Sequence, residues 1–69
     1  MSLRVVLKKD VVSRIMIERG YTWRNLAEMA GVSTITTSRA EKGAKMLPTT
    51  VKKIADALDV SPLEISEAV

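Results

Sequence analysis

Cysteine and histidine are both absent from the 69 residues. No cysteine means no disulfide and no thiolate metal site. No histidine removes the usual general base and the commonest metal ligand. The acidic residues are not clustered, so neither catalysis nor a metal cofactor is expected. Phenylalanine is missing too, leaving one Trp and one Tyr as the aromatics. No apolar run approaches membrane-spanning length. "LRVVLKKD" is far too short an apolar block for a signal peptide, so a reducing, cytoplasmic setting is expected. Basic residues are lacking after Lys53. Residues 1–53 hold all 11 Lys and Arg with four of the 8 acidic residues, a net +7, and residues 54–69 carry −4. Such a split suits a basic face for a polyanion, and equally a merely solvated surface.

What remains is a globular composition, 46% hydrophobic, in a chain sized for one small core. No repeat or low-complexity tract interrupts it. The β-branched start "SLRVVL" favours an extended N-terminal segment over 1–9, and a domain over 10–69. Asp10 is a suitable N-cap for a first helix near 10–19, with Val12, Ile15 and Met16 in one apolar stripe. Gly20 ends it. Thr22 caps a second helix near 23–30, with Leu26, Ala27 and Ala30 inward. After Gly31, Ser33 caps a third near 34–41, which stops before Gly43. Pro48 and Thr49 open a fourth, whose Val51, Ile54, Ala55 and Leu58 fall at i, i+3, i+4 and i+7. "SPLE" at 61–64 is a capping box for a short fifth helix, with Leu63 and Ile65 expected to fold back on the core beside Val60. No convincing internal strand stands out, and the expected fold is all-α with five short helices.

The second and third helices are separated only by "GVS". A helix, a tight glycine-containing turn and a second helix form a helix-turn-helix arrangement. "YTWRNLAEMAGVSTITTSRAEKG" followed by "PTTVKKIADALDVSPLEI" resembles the phage repressor and Cro family, the xenobiotic-response-element (XRE) type. Its pattern runs Thr-Gln-x-x-Leu-Ala, then Ala/Gly-Gly-Val-Ser, then Ile-Ser-x-x-Glu-x-Gly, then Ala-Leu-x-Val-Ser. Residues 20–65 follow it without a gap. The resemblance implies a five-helix, lambda-repressor-like domain that binds double-stranded operator DNA, usually as a homodimer, with the third helix in the major groove. A transcriptional repressor is expected. The same fold also serves as an antitoxin or antirepressor with a protein partner.

The resemblance also turns Thr37 and Ala40 toward the core. That leaves Thr34, Ile35, Thr36, Ser38 and Arg39 outside, a set of hydroxyls, one aliphatic and one guanidinium able to meet base edges. Thr34, Ile35, Thr36 and Arg39 are the expected base contacts. Alternatives stand beside them: Thr34 as part of the helix cap, Ile35 rotated inward, and Arg39 paired with Glu41 or Glu28. The Thr37 hydroxyl is expected to bond back to the Ser33 carbonyl. Expected phosphate contacts are Thr22, Trp23, Arg24, Ser38, Lys42, Lys45, Thr49 and Thr50, at helix N-termini and in the loop after the third helix. Lys52 and Lys53 would extend this basic edge. Trp23 stands where the family usually has Gln, so packing on neighbouring helices is its other reading. Asn25 stands where a Glu would have completed a capping box with Thr22. Dimer contacts are expected around Met46 and Leu47, the fifth helix or "LRVVL".

Overall fold

The strongest amphipathic segment forms the spine of the molecule. In the computed structural model, which describes residues 3–69, Val51, Ile54, Ala55 and Leu58 are all buried along helix α4 (Pro48–Leu58). The other elements are strand β1 (Val5–Leu7), helices α1 (Lys9–Arg19), α2 (Trp23–Ala30) and α3 (Thr34–Glu41), the short helix α5 (Pro62–Ile65) and strand β2 (Ser66–Ala68). Val12 and Met16 of α1, Leu26 of α2, Ala40 of α3 and Ile65 of α5 close the core around α4. Met1 and Ser2, part of the N-terminal segment defined from the sequence, lie outside the described residues.

The ends of the chain contain the feature that the helical pattern did not announce. β1 pairs antiparallel with β2, Val5 opposite Ala68 and Leu7 opposite Ser66. On its other side Val5 exchanges two backbone hydrogen bonds with Met46, at 2.9 and 2.7 Å. β1 is therefore held between the C-terminal strand and the loop leading from α3 to α4. Val5, Leu7 and Met46 are buried in consequence. Met46 is thus a core residue and is not open to a dimer contact.

Local chemistry sets most helix ends. Gly20 and Gly31 take left-handed conformations after α1 and α2. Asp59 does the same after α4 at φ 56°, a region that Asp tolerates better than most residues. Three expectations need correction. α1 starts one residue early, at Lys9, and Lys8 provides no side-chain cap. Asp10 lies instead in the first turn, where its charge favours the helix dipole. At α5, the Ser61 hydroxyl accepts from the Leu63 amide rather than from that of Glu64, so no capping box forms. Leu63 points to solvent at 82% exposure, while Ile65 is fully buried. A single helical turn can bury only one narrow side. The Arg19 guanidinium donates to the Leu58 carbonyl, tying the end of α1 to the end of α4.

Candidate nucleic-acid interface

The approach to α3 is built from three local devices. Thr22 caps α2, its hydroxyl accepting the Asn25 amide at 3.0 Å, and Asn25 Oδ1 accepts the Thr22 amide at 3.1 Å. Asn25 thus completes the reciprocal box that the sequence suggested was missing. An amide oxygen at that position reaches back as a carboxylate would. The Asn25 amide is consequently not free for an anion. Gly31, at φ 71°, turns the chain, and the Val32 amide returns to the Ala27 carbonyl at 3.0 Å. A Cβ at Gly31 would meet nothing within 4 Å, so backbone conformation alone calls for glycine here. Ser33 then caps α3 by accepting the Thr36 amide at 3.2 Å.

α3 sits on a two-residue base. Thr37 and Ala40 are 1% and 0% exposed. The Thr37 hydroxyl donates to the Thr34 carbonyl at 3.1 Å, not to that of Ser33. The Ser33 carbonyl already receives the amides of Thr36 and Thr37, at 3.1 and 3.4 Å. Opposite this base, Ile35 is 63% exposed, so it does not turn inward to replace the apolar group missing at Thr37. Arg39 is exposed one turn further on and forms no ion pair among the described residues. The ion pairs among the described residues are Arg24 with Glu28 at 3.8 Å and Lys52 with Asp56 at 3.1 Å. Both are exposed i,i+4 pairs, worth little to stability. Lys52 is therefore a partly neutralised member of the basic edge.

Two hollows flank the exposed arc of α3. The first, about 340 Å³, lies between the start of α2 and one flank of α3, lined by Trp23, Arg24, Thr34, Thr37, Ser38 and Glu41. The second, about 110 Å³, lies between the other flank and the start of α4, lined by Thr36, Arg39, Lys45, Met46, Leu47 and Thr50. At about 100° per residue, Thr34, Ser38 and Glu41 run down one side of the helix and Thr36 with Arg39 down the other. The site residues expected from the sequence thus divide into two groups. Thr34, Trp23, Arg24 and Ser38 share one hollow, and Thr36, Arg39, Lys45 and Thr50 share the other. Thr36 is half-buried and its hydroxyl is engaged with that of Ser33 at 3.0 Å. Thr22, Lys42 and Thr49 are exposed and line neither hollow. α4 begins at Pro48 without a side-chain cap. Trp23 is half-buried and packs against the core while lining the first hollow. Packing and surface exposure are therefore not alternatives for it. Glu41 was not among the expected site residues. Its spacing of three from Ser38 and seven from Thr34 was the available signal.

Two helices crossing through a glycine turn, the second supported from below and bordered by basic and hydroxyl side chains, define a helix-turn-helix domain. The chain belongs to the Helix-turn-helix family of the XRE type, whose family model matches residues 12–65. It is similar over its whole length to a solved structure described as the transcriptional regulator VanUg. Identity is 26%, the TM-score is 0.74, and 89% of that chain is covered. No curated protein matches it. Among the described residues no helix is long and apolar enough to cross a membrane.

Proposed function

We propose that this protein is a sequence-specific DNA-binding transcriptional regulator, a repressor that occupies operator DNA as a homodimer with α3 in the major groove. The observation that carries this reading is the exposed arc of α3. An isoleucine 63% exposed lies one turn from an arginine without an ion pair among the described residues, on a helix whose opposite side is fully buried. Isoleucine suits a thymine methyl and arginine suits the O6 and N7 of guanine. Thr34 and Thr36 flank them as further base contacts. Phosphates are met on both sides of the groove. Thr22, Arg24, Ser38 and the indole N–H of Trp23 serve the α2 side, and Lys42, Lys45, Thr49 and Thr50 the α4 side. These contacts position the protein, and the base contacts specify the sequence.

An eight-residue helix is about 12 Å long and meets only a few base pairs. Specificity then requires two copies on half-sites about one helical turn apart. Selection of bound sequences from random duplex DNA, followed by binding measurements across salt, tests this. A two-fold-related site and a steep salt dependence, about −0.9 in the log–log slope per phosphate neutralised, are expected. Absence of duplex binding at low salt, or a flat salt dependence, overturns the reading.

A further inference from the structure

We infer that the hollow between α2 and α3 receives the 5-methyl group of a pyrimidine, with Trp23 and Thr34 as its two walls. The inference rests on the proposed binding of duplex DNA and goes beyond it by assigning a chemical group to one hollow. Trp23 contributes a large aromatic surface with a single donor. It is the first residue of α2, half-buried and packed against the core. Thr34, the first residue of α3, faces the same hollow from the other helix. Thr37, also lining it, uses its hydroxyl on the Thr34 carbonyl.

Charge argues against a phosphate inside this hollow. Glu41 lines it, and a carboxylate repels a phosphate while tolerating a base edge. The one cation on its wall, Arg24, is drawn along α2 toward Glu28. A phosphate therefore belongs at the rim, and the interior is left for a base. Among the groups that base pairs expose in the major groove, the pyrimidine 5-methyl is the apolar one. It is shared by thymine and 5-methylcytosine. The hollow runs along a flank of α3, so a helix seated in the groove brings it to base edges beyond those under Ile35.

The test uses the whole protein and its selected duplex. Each thymine is replaced in turn by deoxyuridine, which deletes only the methyl. A second series places 5-methylcytosine or cytosine, opposite guanine, at the same positions. At one position in each half-site, methyl removal should weaken the wild type about four-fold, the worth of one buried methyl. That ratio should fall to about one in Trp23→Gln, while a methyl-sensitive position read by Ile35 keeps its ratio. Thr34→Ser retains the hydroxyl at an exposed site and should lower the same ratio, so the inference remains open to test even if Trp23→Gln is unstable. A methyl effect that the variants lose, in the thymine series or in the cytosine series, supports the inference and identifies its source. Methyl ratios unchanged in both variants overturn it and leave DNA binding intact. Failure to bind any duplex overturns both.

Discussion

Replacing Arg39 by alanine separates recognition from attachment. Arg39 is exposed and without an ion pair among the described residues, so its truncation orphans no buried partner. Folded stability should change by less than about 0.5 kcal/mol, which thermal melts will check. Affinity should change far more. A bidentate guanine contact is worth about 1–3 kcal/mol of discrimination. The proposed homodimer would lose it twice, so the expected cost on the preferred operator is about 2–6 kcal/mol, from roughly 30-fold to about 10⁴-fold. Lys45, across the same hollow, provides the control. Lys45→Ala should weaken all duplexes alike and reduce the salt slope by about 0.9 for each protomer. Competition binding on the selected site and on its single-base-pair variants distinguishes the two. Arg39→Ala should flatten preference at one base pair per half-site, and Lys45→Ala should leave the preference profile intact. If Arg39→Ala lowered affinity by the same factor for every sequence, Arg39 would be a phosphate contact. Recognition would then fall to Thr34, Ile35 and Thr36.

Asn25→Glu should keep or slightly raise stability, because a carboxylate there can preserve the box that Asn25 closes with Thr22 and its charge favours the helix dipole. It should lower duplex affinity, most at low salt, and unchanged affinity would move the start of α2 away from the DNA backbone. Thr37→Val should alter stability by no more than about 0.7 kcal/mol in denaturant titrations, since a bond worth about 0.5–1.5 kcal/mol is exchanged for about 0.8 kcal/mol of methyl burial. A loss above 1.5 kcal/mol would show that this hydroxyl shapes the base of α3. Gly31→Ala should cost about 1–2 kcal/mol through backbone strain alone, a fall in Tm of roughly 4–16 °C. An unchanged Tm would show that the turn relaxes.

The sequence by itself determined the helix-turn-helix. The bounds expected for α2 and α3 agree with those observed, because the signals that set them act within three or four residues. Thr22 and Ser33 bond amides three positions ahead, and Gly31 turns the chain through its own φ. The α4 stripe was legible for a similar reason, since one helical period orders it. Tertiary structure decided what depends on distant partners. Ser66–Ala68 carries no strand pattern of its own and is extended because β1, some sixty residues earlier, offers its backbone groups. The same strand takes up Met46 and buries it, although nothing around Met46 distinguishes it from exposed Leu47. Leu63 and Ile65 are similar in hydrophobicity, and only the angle at which α5 meets the core decides which is covered. The first hollow has the same origin. Trp23 and Glu41 lie on different helices, and the crossing of α2 with α3 creates the space between them. Local hydrogen bonds can be read along a chain, whereas a surface shared by two helices exists only once they pack.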